Sequence, residues 1–349
     1  MTTSRQSPPF GAELAAGCRE LAAKFVAYYL VRLRPHWRAA SGRGELTALV
    51  AATCRRDPEH AAFLLEGLCY EYVRRALRAR RQLVHLLDGE AAAALPERSL
   101  ILLHVGLGMA LTEVLIRPLR PRGQAAAVDG ALDRFAALVA ANARPEYAPV
   151  CFESLGLMVR RFMPHLHVAV EERLRVREPG AAAGYWHGAG RGIYFLASLC
   201  HPFPGTARRG LAICRREPPL PGLRLDAIAG FAFASTMINL RQPELVARLL
   251  LHVEPEEIEA VASGVAGALM TRYHTRPEAT EVRDFLRPVA APWPGELGAR
   301  LAALWDGAVR MPATAAMDRA YPLLRARGEL ASFARHRPLG TVLAPAGEP

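Results

Sequence analysis

Along most of the chain the apolar positions recur at three- and four-residue intervals, the spacing that gathers side chains on one face of an α-helix. The period-two alternation of a half-buried strand is almost absent, and no Asn-Gly or Asp-Gly turn separates two alternating segments. Clusters of Pro and Gly at residues 118–123, 145–149, 178–180, 202–205, 218–222 and 288–295 interrupt the helical pattern, and these predict short connections between consecutive helices. The first residues and the stretch after Arg337, which holds Pro338, Pro345 and Pro349, read as frayed ends. The pattern therefore predicts an all-α protein.

Self-similarity refines that expectation. Gly106-Leu107-Gly108-Met109-Ala110 is echoed by Gly188-Ala189-Gly190-Arg191-Gly192, by Gly230-Phe231-Ala232-Phe233-Ala234 and by Gly264-Val265-Ala266-Gly267-Ala268, each inside an apolar helical segment. A second pair of blocks, around Glu66 and Glu153, repeats at a spacing of 87 residues, close to the 82 that separate Gly106 from Gly188. Together they predict a tandem-duplicated array of helical hairpins packed as one globular or superhelical domain over residues 1–349. The halves fall at about 58–143 and 145–273, with a helical C-terminal extension over 274–337.

Glycine inside a helix costs about 0.5 to 1 kcal/mol relative to alanine, so a repeated one needs a reason. Gly184, Gly188 and Gly192 lie four residues apart and strip one helix face, which suits close approach of a neighbouring backbone. Gly106, Gly108, Gly230 and Gly264 are expected at similar crossings. The other reading, approach of a phosphate ligand, lacks both the GxGxxG order and a preceding strand.

Composition changes the picture only slightly. Hydrophobic residues make up 51% and charged residues 22% of the 349, a globular balance rather than a disordered one. The net charge of +11 would favour an anionic partner, but Lys24 is the only lysine, and such an arginine-, alanine- and proline-heavy composition is the imprint of a GC-rich genome. The arginines are also scattered, so a nucleic-acid role is not expected. Six cysteines show no zinc-like spacing and no CxxC pair. No secretory signal pattern opens the chain, which makes the cytosol the expected location. The most apolar run, residues 100–116, contains His104 and Glu113 and reads as a buried helix rather than a membrane span.

Candidate chemistry is sparse. Glu66 and Glu153 sit in apolar surroundings at equivalent places in the two halves, and Arg191 lies in an apolar helix. A buried carboxylate needs a partner, and a guanidinium offers a bidentate fork, so Glu153 with Arg191 reads first as a structural clamp. The functional version makes Glu153 a general base and Arg191 an anion clamp for a carboxylate or a phosphopantetheine arm, with His187 beside them. His104, His165, His167, His187 and His201 form no HxxxH or HExxH pair, so neither a metal nor a cofactor is expected. Tyr185, Trp186, Tyr194, Phe195, Phe231 and Phe233 mostly suit a core. With Glu66 and His104 nearby, Tyr185, Trp186, Tyr194 and Phe195 are also candidates to line an apolar pocket. No GxSxG or GxxxxGK[ST] motif is present.

The segment from Tyr185 to Phe195, which reads YWHGAGRGIYF, followed by Arg224 to Ala232, RLDAIAGFA, resembles a bacterial family of unknown function found in enediyne polyketide gene clusters. Phe63 to Gly67 and His104 to Leu111 resemble its N-terminal blocks, so the likeness spans about residues 60–270. Ser154 stands where that family carries glycine directly after the glutamate. The resemblance implies an accessory protein of secondary-metabolite biosynthesis that binds an apolar intermediate, or a polyketide synthase or acidic carrier protein; it brings no known chemistry. Two other readings stand beside it: an enzyme of unfamiliar type using Glu153, Arg191 and His187, and a helical-repeat scaffold whose concave face binds another protein.

Overall fold

A computed structural model describes residues 46–344 except 57–60, 121–124, 197–204 and 288–294, together with positions 15, 18, 19, 21 and 22. His201 and Cys200 therefore lie outside the described residues. Among those described there is no strand, and the protein is all-α, packed as one domain.

From residue 46 onward the helices are α1 (Leu46–Arg56), α2 (Ala61–Arg78), α3 (Leu100–Leu115) and α4 (Ala125–Asn142). Next come α5 (Ala148–Phe162), α6 (His167–Arg177), α7 (Ala182–Tyr194) and α8 (Thr206–Arg216). They are followed by α9 (Pro221–Ile238), the short α10 (Pro243–Ala247), α11 (Ile258–Thr275) and the short α12 (Glu281–Phe285). Proline does much of the punctuation. Three-residue 3-10 turns beginning at Pro145, Pro164, Pro179 and Pro255 lead directly into α5, α6, α7 and α11. The fixed proline φ suits a first turn, and the missing N–H is one that a helix start leaves unbonded anyway.

Six of these helices, α2, α3, α5, α7, α9 and α11, form a row in which each packs on the next. α4 and α6 pack on one another outside the row, against α3 and α7 respectively, and α8 lies against α9. The glycine blocks mark the crossings. A Cβ at Gly106 would strike the Glu66 carbonyl oxygen of α2, and one at Gly108 would lie 2.6 Å from the Cys151 oxygen of α5. Between α5 and α7 the encounter is reciprocal, Gly156 meeting Tyr185 and Gly188 meeting Glu153. Gly190 and Gly230 repeat it between α7 and α9, and Gly264 meets Ala229 between α9 and α11. Gly184, Gly188 and Gly192 face residues 149, 153 and 157 in turn, so α5 and α7 run parallel with their backbones nearly touching. That spacing admits Cα–H···O contacts and no side chain. Gly184 is the loosest of the set, its nearest neighbour being the Ala334 oxygen at 3.4 Å.

Glu97–Leu115 is, by length and composition, apolar enough to cross a membrane, a longer segment than the apolar run suggests because a 3-10 turn extends α3 at its start. Here the segment is mostly buried inside the protein, where α3 packs between α2 and α5. Cys69, Cys151 and Cys214 are buried free thiols that act as small core side chains.

The C-terminal run packs on α11. It comprises α13 (Gly295–Trp305), a π-turn at Asp306–Arg310, α14 (Met311–Ala315), a second π-turn at Ala316–Ala320 and α15 (Tyr321–Ala326). A proline ring clashes with the carbonyl four residues earlier, and Pro312 and Pro322 each stand two residues past a π-turn. The widened turn holds the offending carbonyl, so the helix bends its ladder instead of ending. After α15 a 3-10 turn, Leu330–Ala334, reaches back to α5, α7 and α11, and α16 (Leu339–Leu343) follows.

Candidate functional site

Glu153 of α5 and His187 and Arg191 of α7 meet because the parallel, glycine-lined crossing brings position 153 level with position 188. His187 and Arg191 are four residues apart and share a helix face. Arg191 donates through one terminal nitrogen to both Glu153 oxygens, at 2.8 and 2.7 Å, and His187 Nδ1 lies 3.2 Å from Oε1. Glu153 is 2% exposed and His187 1%. Phe233 of α9 closes one side, with the Arg191 guanidinium 5.2 Å from its ring centroid and the His187 ring packed edge-on at 5.5 Å.

Burial alone would raise the Glu153 carboxyl, but Arg191 and then His187 outweigh it and hold the group below the usual carboxylate range. Arg191 is pushed the other way: burial opposes its charge, while Glu153 and Glu66 more than restore it. Burial drives the His187 pKa down against the pull of Glu153, which keeps the ring neutral at pH 7. With Nδ1–H donating to Glu153, the other nitrogen is an acceptor. Neither His187 Nε2 nor Arg191 Nε has a hydrogen-bond partner among the described residues.

Glu66 of α2 completes the set. It lines the same cavity of about 70 Å³ as Glu153, His187 and Arg191, a space for a few water molecules or the end of a ligand. Burial raises its carboxyl to about 7, Arg191 pulling it down and Glu153 adding to the rise. One carboxylate is thus held ionised while its neighbour titrates near neutrality. The rest of the wall is apolar: Phe63 from α2, Phe195 after α7, Phe233, and Leu330, Ala331, Phe333 and Ala334 from the C-terminal 3-10 turn.

Of the candidates read from the sequence, Glu66, Glu153, His187, Arg191 and Phe195 are brought together here. His104, Tyr185, Trp186 and Tyr194 are not. His104 bonds the Leu100 oxygen through Nδ1 at 2.7 Å and accepts the Arg144 N–H at Nε2, and burial drives its pKa down to about 4. Both ring nitrogens are consumed, one within α3 and one in tying α3 to the turn that precedes α5. Tyr185 projects from the opposite face of α7 and bonds His167, while Trp186 Nε1 donates to Glu171 of α6 at 3.4 Å. Tyr194 ends α7 two turns beyond His187 and accepts a bond from Asn239 at 3.2 Å. These aromatic positions serve the joints between helices.

Arg191 is also no open anion clamp, because Glu153 matches its charge and Glu66 adds a second carboxyl. Among the described residues no group of three or more His, Cys, Asp or Glu side chains could hold a metal ion.

The contribution of residues 330–334 was not visible in the sequence. The only trace is Gly267, where a Cβ would stand 3.3 Å from Phe333 Cβ and 3.4 Å from Phe233 Cδ2. Fold and site together define an all-helical protein with a small, roofed, ionisable cavity between its central helices. Comparison with protein-family models, curated proteins and solved structures returned no match to this chain.

Proposed function

We propose that the protein binds a predominantly apolar small molecule, holding one polar group of it at Glu66, His187 and Arg191. The biological setting suggested by the sequence resemblance is an accessory role, in the cytosol, in bacterial polyketide biosynthesis of the enediyne type. The observation that carries the binding reading is the cavity itself, lined by His187, Arg191 and a second carboxyl among aromatic rings, with one buried nitrogen of His187 and one of Arg191 left without a partner among the described residues. A clamp built only for stability needs neither Glu66 nor a space. Apolar walls with a few converging polar groups are the usual make-up of a ligand site: the walls give affinity and the polar groups fix orientation.

The charge balance favours a neutral polar group. A hydroxyl can donate to His187 Nε2 while accepting from Arg191 Nε–H or from the protonated Glu66, whereas a carboxylate would meet Glu153 and Glu66. The net charge of +11 favours an acidic carrier protein as the macromolecular partner that delivers such a molecule. A second reading, proton transfer to or from the bound molecule, is favoured by Glu66, whose carboxyl at about 7 can both give and take a proton near neutral pH.

Titration with a conjugated polyene alcohol, followed by energy transfer from tryptophan, tests the binding reading. Saturable binding that weakens at least tenfold in Glu66→Leu, with a cooperative melting transition no lower than that of the wild type, is expected. Absence of saturable binding, or equal affinity in the variant, contradicts it.

A further inference from the structure

A second cavity, of about 430 Å³, lies between α11 and the C-terminal run, and its volume is in the range of small-molecule sites. Much of its wall is small and apolar, with Ala262, Ala266 and Met270 of α11 facing Ala308, Pro312 and Ala316 of the run, while Glu259, Arg335 and Arg337 add charged groups to the lining. Ala308 and Ala316 sit in the two π-turns, so the prolines that widen the helix also shape this wall. π-turns recur at functional sites.

Phe333 belongs to the walls of both cavities. It packs with Phe233 over Gly267, the one position in the fourth glycine block whose missing Cβ makes room for these two side chains. Phe233, in turn, carries the His187 and Arg191 contacts. Phe333 is thus the one residue that the walls of the two cavities share. The smaller cavity can hold a polar end and little more; the larger one is mainly apolar and can hold a chain.

We infer that the two cavities form one site for an elongated ligand, a linear hydrocarbon or polyene chain with one neutral polar end, and that Phe333 sets the chain length admitted. The inference rests on the proposed binding at the ionisable cavity and adds the shape of the ligand and a residue that selects it. The polar end lies at Glu66, His187 and Arg191, and the chain lies between α11 and the C-terminal run. Phe333 acts through packing alone.

Competition of straight-chain 1-alkanols of increasing length against the polyene alcohol tests it in the full chain, with melting curves recorded for each variant. In the wild type, affinity rises with length and then levels off. Phe333→Ala moves that limit to longer chains and strengthens the longest by about tenfold. Ala262→Leu, which fills the larger cavity from α11 and leaves Phe333 in place, loses long chains about tenfold and keeps short ones. The second variant carries the test if the first does not fold. Should short alkanols bind while both folded variants keep the wild-type length profile, the joined site is wrong and the ionisable cavity stands. Should no alkanol of any length bind the wild type, the binding reading fails and this inference fails with it.

Discussion

Glu66 and Glu153 are the same chemical group in the same cavity, and they differ because only one of them has a cation in contact. Glu153 receives two hydrogen bonds from Arg191 and stays ionised. Glu66 feels that cation only at a distance and a like charge as well, so burial dominates and lifts it to about 7. A carboxyl raised in the folded state binds a proton that the unfolded chain has already released. Its neutral form is accommodated fully below the ordinary value of 4.5, and stability is lost as pH climbs from there to about 7. His104 and His167, both driven down to about 4, act with the opposite sign, their stability being lost as pH falls toward 4. The difference between wild type and Glu66→Gln isolates the carboxyl. Denaturant unfolding is expected to show the wild type losing on the order of 2 kcal/mol against the variant between pH 4.5 and 7, allowing for water in the cavity. A gap that stays constant over that range would place Glu66 in water.

These residues were partly legible in the sequence. An isolated Glu or Arg within an apolar helix announces a burial cost that must be offset, which is why Glu66, Glu153 and Arg191 stood out. Aromatic side chains carry no such announcement, because filling a core and lining a cavity use the same surface. Tyr185, Trp186 and Tyr194 accordingly went to helix joints, while Phe333, in an unremarkable C-terminal segment, went to the cavity.

At the scale of elements, the glycines decide which helices touch and at what depth. Gly188 and Gly130 are both helical, yet a Cβ at Gly188 would collide with the Glu153 carbonyl, whereas one at Gly130 on the outer face of α4 meets nothing within 4 Å. Gly130→Ala is therefore expected to stabilise by about 0.5 to 1 kcal/mol, through helix propensity. Gly188→Ala is expected to destabilise by about 1 to 3 kcal/mol, because two backbones must separate. Equal effects in urea unfolding would remove the glycines from the crossings. Helix identity and glycine packing were readable because a spaced apolar face and a four-residue glycine period each have one simple physical cause. The π-turns were not readable: Pro312 and Pro322 look like helix breakers, and only tertiary packing against α11 makes a widened turn cheaper than an end.

For the whole molecule, the consequential arrangement is that the C-terminal run, far from the glycine blocks in sequence, returns to roof the cavity that those blocks create. Nothing local in residues 330–334 records this, since the contact depends on the path of the entire row. The site therefore combines a signal legible in the sequence, a carboxylate and an arginine in apolar helices, with a segment that carries none.

The central claim is that this buried cluster holds a ligand and does not exist to hold the fold. A buried ion pair replaced on both sides by apolar residues of similar volume is often neutral or stabilising, whereas removal of one partner leaves an uncompensated charge. The most direct measurement is polyene-alcohol affinity in the double variant Glu153→Leu with Arg191→Met, taken with its melting temperature. The account predicts a melting temperature within about 5 °C of wild type and binding that is lost. Retained binding, or collapse of the folded state, would contradict it.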